Sequence, residues 1–137
     1  MSRVELLSKI SSLFEYKIIS SFEGDEFVLL RSSTIESIDF PIDDKTAFEA
    51  LENHVHIMDH IRKSEMTELV NASKVLGMSI LSLLKTNYPE KDFYVFVSIK
   101  QGDSLIIRFH QKWVHEKPYY NVCDFKDLNE IVLMFKS

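Results

Sequence analysis

Residues 93–111 read FYVFVSIKQGDSLIIRFHQ, and this stretch decides the fold because it carries the clearest strand signal in the chain. On both sides of the turn, apolar side chains alternate with a more polar set. A period of two places successive side chains on opposite faces of a strand. The Gln-Gly-Asp sequence at residues 101–103 supplies the turn. The stretch therefore predicts an antiparallel β-hairpin with strands over residues 93–100 and 105–113.

The two faces of this hairpin differ in composition. One face would carry Phe93, Val95, Val97, Ile99, Leu105, Ile107, Phe109, Gln111 and Trp113. The other face would carry Tyr94, Phe96, Ser98, Lys100, Ile106, Arg108, His110 and Lys112. We expect Phe109 and Trp113 to belong to the core, and we expect Arg108 and His110 to look outward.

The chain before this hairpin predicts a helix, a second hairpin and a further strand. Apolar residues recur at three- and four-residue intervals over residues 4–14, which is typical of one stripe on a short helix. Residues 16–32 consist of two apolar runs around a polar turn with Gly24, and this pattern predicts a hairpin. Alternation over residues 38–42 predicts a third strand, and Pro41 would place it at a sheet edge.

Two helices are predicted next. Asp43 or Asp44 can cap the first helix, whose apolar stripe would continue to Ile61. The second helix would cover residues 65–85, and its apolar residues occupy more than one face, so we expect it to be central and buried. Gly77 in its middle indicates the close approach of a neighbouring backbone, because glycine costs a helix about 1 kcal/mol relative to alanine.

The end of the chain predicts a short strand and a last helix. Pro118 closes a loop before a strand over residues 119–123. Asp127 and Glu130 have the spacing of a capping box, and apolar residues follow at helical intervals. The resulting order, α-βββ-αα-βββ-α, is an α+β fold with mainly antiparallel pairing. No Gly, Pro or Ser tract forms a linker, so we expect a single domain over residues 1–137.

Composition narrows the classes of function. The chain has 137 residues, 45% of them hydrophobic, and a formal net charge of −5. Nucleic-acid binding needs clustered Lys and Arg on a basic surface, so we expect no nucleic-acid partner. The single cysteine, the absence of a cleavable apolar leader and the absence of an apolar run near the roughly 20 residues that span a bilayer predict a cytoplasmic protein with no membrane contact.

Catalytic and metal sites have little support in the sequence. His56 and His60 would lie four residues apart on the predicted helix, but nothing completes a ligand set, so we expect a solvated face and no metal. Cys123 lies beside Asp124, a negative setting that does not activate a thiol, and we expect an inert, partly buried thiol. Glycine-rich phosphate loops are absent as well. We therefore expect no cofactor and no catalytic residue.

Charge is unevenly distributed along the chain. Residues 15–52 contain ten acids and three bases, whereas residues 91–120 contain five bases and three acids. A solvated acidic surface can serve solubility alone, or it can steer a basic protein partner by long-range attraction. On the second hypothesis, the acids that contact the partner are Glu23, Asp25, Glu26, Asp43 and Asp44.

Aromatic and basic residues form a second candidate surface. Its members are Tyr94, Phe96, Arg108, His110, Tyr119 and Tyr120. A dedicated binding face is one arrangement, and a face covered by another helix, with Arg108 at the rim, is a second. Two copies could also join through the face around Tyr94 and Phe96 as a homodimer. The alternative from a different class is a small-ligand-binding or enzymatic domain, with a pocket formed by Arg108, His110, Trp113 and Tyr120.

The stretch from Asp92 to Tyr120 also suggests a type of protein. It contains Phe93-Tyr94-Val95-Phe96-Val97, Ile107-Arg108-Phe109-His110-Gln111-Lys112-Trp113 and Pro118-Tyr119-Tyr120. With its size, acidity and lack of a catalytic motif, the chain resembles the small immunity proteins that bacteria make against polymorphic or contact-dependent toxins. The resemblance implies tight, stoichiometric binding that blocks a toxin active site. The acidic hairpin and helix start would then face a basic, nuclease-like surface.

Overall fold

The computed structural model describes residues 1–125 and 129–137 and shows the predicted α+β fold with antiparallel sheets. Within these residues the helices are α1 (Arg3–Ser12), α2 (Lys45–Glu52) and α3 (Met66–Asn87). The strands are β1 (Tyr16–Ser20), β2 (Glu26–Leu30), β3 (His54–Met58), β4 (Phe93–Lys100), β5 (Leu105–Gln111) and β6 (Glu130–Lys136), and 3₁₀ turns lie at Lys63–Glu65 and Val122–Asp124. Strands β1 and β2 pair by themselves, and a four-stranded sheet has the order β3-β5-β4-β6.

The hairpin predicted over residues 93–111 is the centre of the larger sheet. Strands β4 and β5 pair in the antiparallel register that places Phe93 opposite Gln111 and Ile99 opposite Leu105. The alternation is confirmed, because one face of the hairpin is buried in the main core with α3. The residues of this face in the core are Phe93, Val95, Val97, Ile99, Leu105, Ile107 and Phe109.

The first of the two predicted middle helices is only half correct. Helix α2 ends where Asn53 leaves helical geometry, with φ −101° and ψ 50°, and residues 54–58 form β3 instead of continuing to Ile61. Strand β3 pairs with β5 and has an irregular register between His56 and Met58. The apolar spacing fits a helix, but β5 offers an unpaired edge, and tertiary hydrogen bonding overrides local propensity.

The predicted C-terminal helix is a strand. Residues 130–136 form β6, which pairs with β4 along its whole length. The apolar run at residues 131–135 contains no Gly or Pro, and periodicity alone does not separate a buried strand from a helix in so short a run. The proposed cap, Asp127, lies outside the described residues.

Residues 38–42 and 119–123 do not form the predicted strands. Ile38 makes an isolated parallel bridge with Ser21 and is buried in a small second core with Phe27. The later stretch is an irregular loop that enters the second 3₁₀ turn. The order of the described helices and strands is therefore α-ββ-α-β-α-ββ-β.

Helix α3 packs against β4 and β6 and buries Ser73, Gly77, Ile80 and Leu84. The close neighbour of Gly77 is a side chain rather than the predicted backbone, because a Cβ at Gly77 would lie 2.3 Å from Cε2 of Phe135. Helix α3 is long, but no helix within the described residues has the length and apolar character needed to cross a membrane.

Helix α2 joins the two sheets through two side chains that lie one helical turn apart. The Asn53 side chain accepts a hydrogen bond from the N–H of Leu30 at 2.9 Å and donates one to the carbonyl of Val28 at 2.8 Å. The Glu49 carboxylate accepts from the N–H groups of Val28 at 2.9 Å and Gln111 at 2.5 Å. These side chains satisfy edges of β2 and β5 where no described strand pairs.

Candidate functional site

An open recess of about 530 Å³ lies between the start of α2 and the loop that follows β5. Its lining residues are Asp43, Asp44, Thr46, Ala47, Glu116, Lys117, Pro118 and Tyr119. The recess brings together three of the predicted partner contacts, the neighbours Asp43 and Asp44 and the distant Tyr119. It also adds Glu116, a carboxylate that the sequence did not single out.

Two carboxylates hold the start of α2 against this loop. Asp44 is the N-cap, and its Oδ1 accepts a hydrogen bond from the N–H of Ala47 at 2.9 Å. Glu116 accepts from the N–H groups of Lys45 at 3.3 Å and Thr46 at 2.7 Å. The first N–H groups of a helix have no intrahelical partner and carry partial positive charge, so they favour carboxylates. The recess wall is therefore acidic and fixed in place.

The predicted acids of the β1–β2 turn lie in the same region of the molecule. Asp25 forms an ion pair with Lys45 at 3.1 Å, which ties the turn to the start of α2. Glu26 pairs with Lys91 at 3.2 Å. Glu23 is exposed in the same turn. The two lysines reduce the negative charge that Asp25 and Glu26 contribute to the surface.

Arg108 and His110 do not face outward, so that expectation is wrong, and Phe96 beside them is not an exposed contact. Phe96 is fully buried, His110 is 1% exposed and Arg108 is 8% exposed. The loop after β5 covers them, and the ring of Tyr120 meets the ring of Phe96 edge-on with 5.1 Å between centres. The sequence allowed a helix to cover this face, but a loop covers much of it instead. Tyr94 and Tyr120 stay partly exposed.

Arg108 is held by α2 and by the loop. Its Nη1 donates a hydrogen bond to the carbonyl of Ala50 at 3.0 Å, in the last turn of α2, where the helix dipole favours a cation. Its guanidinium carbon lies 4.7 Å from the ring centre of Tyr119 and 5.4 Å from that of Tyr120. These cation–π contacts fasten the loop to the sheet. Burial raises the pKa of the Tyr120 phenol, and the Arg108 charge opposes this rise.

His110 fixes the same loop from below. Its Nε2 accepts a hydrogen bond from the N–H of Tyr119 at 3.0 Å, and its Nδ1 lies 2.7 Å from the carbonyl of Gln111. This pair of partners assigns the neutral tautomer with its proton on Nδ1. Burial lowers the pKa of His110, while the contact with Gln111 and the charges of Glu116 and Asp44 act in the opposite direction.

The alternative pocket is not formed by its four proposed residues, Arg108, His110, Trp113 and Tyr120. The ring centre of Trp113 lies 5.1 Å from that of Phe27 in the second core, and its Nε1 donates to Glu49 at 3.1 Å. Arg108 and His110 instead face the loop that carries Tyr119, on the other side of β5. The four side chains therefore do not surround one cavity, and the expectation of a shared pocket is wrong.

Glu49 is a buried titratable group that sequence reasoning missed. Besides the two backbone bonds described above, its carboxylate accepts from Nε2 of Gln111 at 2.6 Å and from Nε1 of Trp113 at 3.1 Å. Burial raises the pKa of Glu49 to about 7, although all four hydrogen bonds lower it. A single acid beside the apolar stripe of a short helix gives no signal of burial. Its position is decided only where the two sheets meet at α2.

His56 and His60 are exposed, as expected of a solvated face, but they do not lie on a helix, and the environment predicted for Cys123 is wrong. His56 lies in β3, and His60 lies in a turn with φ 56°, so the helical spacing that suggested a shared cation does not exist. No group of three or more His, Cys, Asp or Glu that could hold a metal ion occurs in residues 1–125 and 129–137. Cys123 is exposed rather than partly buried, because it lies in a loop turn instead of a strand.

Comparisons with known proteins show a family without pointing to an activity. No curated protein and no solved structure matches the chain. A family model described as "Uncharacterized protein PM0498 family" matches residues 4–137, which is nearly the whole sequence. The chain therefore belongs to the Uncharacterized protein PM0498 family.

Proposed function

We propose that this chain is a non-catalytic protein-binding domain that recognises a basic surface on another protein. The observation that carries the proposal is the recess in which Asp43, Asp44 and Glu116 converge beside Tyr119. Carboxylates next to an aromatic ring offer a Lys or Arg side chain an ion pair for its charge and a ring face for its stem or guanidinium. Such anchors dominate the energetics of many protein interfaces.

The carboxylates of the recess are held in position before any partner arrives. Both oxygens of Glu116 accept hydrogen bonds from the backbone of α2, and one oxygen of Asp44 does the same. Asp43 is exposed beside them. Ordering side chains at an interface costs entropy, so groups that are already fixed bind with less loss. The same bonds that cap α2 therefore hold these carboxylates ready for a cation.

The β1–β2 turn adds a longer-range contribution. An ion pair with Lys45 ties Asp25 to the start of α2, and exposed Glu23 lies in the same turn. Glu26 is partly neutralised by Lys91, on a chain with a net charge of −5. A concentrated negative region increases the rate at which a basic partner associates, and salt screens the attraction. Binding through this surface should therefore weaken as salt is added.

Within this class, an immunity protein that neutralises a bacterial toxin is our specific proposal. It is supported by the small acidic chain and by the resemblance of residues 92–120 to that type of protein. A basic nuclease-like toxin would present Lys and Arg side chains to the recess. Stoichiometric binding would then block the toxin active site without any chemistry by this chain.

The recess can be tested with two synthetic peptides of equal length, one rich in arginine and one rich in glutamate. We expect the arginine-rich peptide to shift the NMR amide signals of Ala47 and Tyr119, with smaller shifts at higher salt. Replacing Asp43→Asn together with Asp44→Asn should weaken this binding by about tenfold. Asn at position 44 keeps the N-cap, so the variant removes charge without removing the helix start.

The matched control is Asp59→Asn together with Glu68→Gln, which removes the same charge from residues outside the recess. The control should bind the arginine-rich peptide like the wild type. Equal shifts with the glutamate-rich peptide, or full binding by the Asp43→Asn, Asp44→Asn variant, would contradict the proposal. The immunity proposal has its own test. If a toxin gene lies beside the gene for this chain, the toxin should bind this chain and lose its activity. A toxin that stays unbound and active would contradict the immunity proposal.

A further inference from the structure

We propose that β6 is a self-association surface through which two copies of this chain join their larger sheets edge to edge. Strand β6 is an outer strand of the four-stranded sheet and pairs with β4 along its full length. In the described part of the chain, no residue bonds to the other edge of β6. An edge with unpaired N–H and C=O groups is a template for another strand.

The ladder between β4 and β6 determines which backbone groups point outward. At one end the N–H of Ser137 donates to the carbonyl of Phe93, and at the other the N–H of Gln101 donates to the carbonyl of Asn129. Alternate residues of an antiparallel strand bond to the same neighbour, so the odd-numbered residues of β6 face β4. The residues whose backbone groups face away from the sheet are Glu130, Val132, Met134 and Lys136.

Strand β6 lacks the features that protect natural edge strands from pairing. Residues 131–135 read IVLMF, without Pro, Gly or charge, and no bulge interrupts the pairing with β4. Strand β3, at the opposite edge, is shorter and has an irregular register between His56 and Met58. Leu133 is only partly buried, whereas Val97 on the same face of β4 is fully buried. Strand β6 therefore leaves apolar surface that a further strand would cover.

The sequence of β6 is complementary to itself in the antiparallel direction. Two copies paired about Leu133 align their whole strands, and Glu130 of each copy then faces Lys136 of the other. Two cross-strand ion pairs result, and the facing pairs between them are all apolar. The outward-pointing residues also face one another in this register, which allows about eight backbone hydrogen bonds across the junction. This complementarity selects a second copy as the occupant.

Charge distinguishes this surface from the acidic recess. Each copy carries a net charge of −5, but β6 itself carries one acid and one base. Added salt screens both the general repulsion between copies and the two cross-strand ion pairs, so it should change self-association little. Binding of a basic partner at the recess should weaken under the same change. The two proposals can therefore fail independently.

Sedimentation equilibrium of the full chain tests the interface. We expect a monomer–dimer equilibrium for the wild type. Met134→Pro removes an outward-pointing N–H without removing a hydrogen bond to β4, so it should give only monomer with an unchanged circular dichroism spectrum. Met134→Ala keeps that N–H and is the matched control, which should still dimerise. A wild-type monomer at every concentration, or a dimer that survives Met134→Pro, overturns the proposal.

Charge exchange tests the register. Glu130→Lys and Lys136→Glu each place like charges opposite one another and should each weaken the dimer by about tenfold. The double exchange restores opposite charges and should return the dissociation constant to within about threefold of the wild type. A double variant as weak as the single variants overturns the register. Glu130 also faces Lys100 within the same copy, so thermal unfolding at low concentration separates folding from association.

Discussion

Two regions of this molecule have sheet edges that lack a neighbouring strand, and they differ in what completes them. At α2, the edges of β2 and β5 end in the interior and are satisfied by the side chains of Glu49 and Asn53. At β6, the edge lies at the surface and bonds to no described residue. A buried N–H without a partner costs about 1 to 3 kcal/mol, so the first edge requires internal acceptors. The second edge can use water or another strand.

Burial therefore determines which residues an edge carries. The buried edges use an acid and an amide on a helix, and those side chains also fix α2 between the sheets. The edges of β2 and β5 that Glu49 and Asn53 satisfy are the closed edges, and they hold α2 in place. Because Asp44 and Ala50 lie at the ends of α2, the closed edges also position the recess and the carbonyl that bonds to Arg108. The exposed edge carries an apolar run, and the Phe135 ring of the same strand packs on α3. Its outward backbone groups are those that we propose bond to a second copy.

Among the substitutions at the closed edges, we expect Glu49→Ala to change the stability most. It leaves the N–H groups of Val28 and Gln111 buried without an acceptor, so we expect the free energy of unfolding to fall by about 4 kcal/mol. Glu49→Gln keeps an oxygen acceptor and should lose roughly half as much. Urea denaturation measures both changes. A loss below about 1 kcal/mol for Glu49→Ala would show that the carboxylate is not needed to close these edges.

Asn53→Ala tests the second closing side chain. It removes the bonds to Leu30 and Val28, and the expected loss of unfolding free energy is about 3 kcal/mol. Asn53→Asp is the comparison variant, since it keeps an acceptor for Leu30 but turns a buried carboxylate oxygen toward the carbonyl of Val28. Because burying a charge against an acceptor costs more than losing a hydrogen bond, its loss in urea denaturation at neutral pH should be at least that of Asn53→Ala. Equal stability of wild type and Asn53→Ala would show that the buried edge of β2 does not need the Asn53 side chain.

The pH dependence of stability provides a smaller effect at the same site, because ionisation of Glu49 leaves its hydrogen bonds in place. Its folded pKa of about 7 lies above its ordinary value of 4.5, so the folded state binds this proton more tightly than the unfolded chain does. The resulting stabilisation is complete below about pH 4.5 and is lost as the pH rises through about 7.

This dependence is measured as the difference between wild type and Glu49→Gln in urea at about pH 5 and about pH 8. We expect the advantage of the wild type to shrink at the higher pH. The subtraction removes the contribution of His110, whose lowered pKa makes stability fall as the pH drops below about 6.5. An unchanged difference across this range would show that Glu49 does not titrate there.

Gly77→Ala tests how the exposed edge is held on α3, and we expect the smallest effect. Alanine favours a helix by about 1 kcal/mol, but its Cβ would lie 2.3 Å from the Phe135 ring of β6 and force that ring to move. The net loss should be about 1 kcal/mol in thermal unfolding. In a Phe135→Ala background the same substitution should become stabilising. A gain in the wild-type background would contradict this packing of β6.

The helices and strands that depend on nearby residues were predicted better than those that depend on residues far away in the chain. The β4–β5 hairpin was predictable because its alternation and its turn lie within one short stretch. Residues 54–58 and 130–136 were predicted as helices, because short apolar runs fit either structure until a neighbouring strand is present. Both runs became strands beside β5 and β4, which were themselves correctly predicted. These two errors lie where long-range strand pairing decides the structure.

The candidate site divides in the same way. Asp43 and Asp44 were predicted as partner contacts from the uneven charge distribution, and the prediction that one of them caps α2 is confirmed for Asp44. Tyr119 was predicted from residue type, and the fold places it with the two acids. Glu116 gave no local signal, because its partners are backbone groups at the start of α2. Phe96 and Arg108 were misjudged, because alternation assigns a face but does not show that a loop covers it.

The sequence by itself determined the α+β class, the central hairpin and the acidic character of the chain, since these follow from short periodicities and composition. Tertiary structure alone decided that Glu49 is buried, that Asp43 and Tyr119 share a recess, and that β6 is an edge. The physical reason is that hydrogen bonding and burial between distant segments outweigh the small propensity differences that local sequence expresses. Whether a strand has a neighbour on both sides is a property of the assembled sheet.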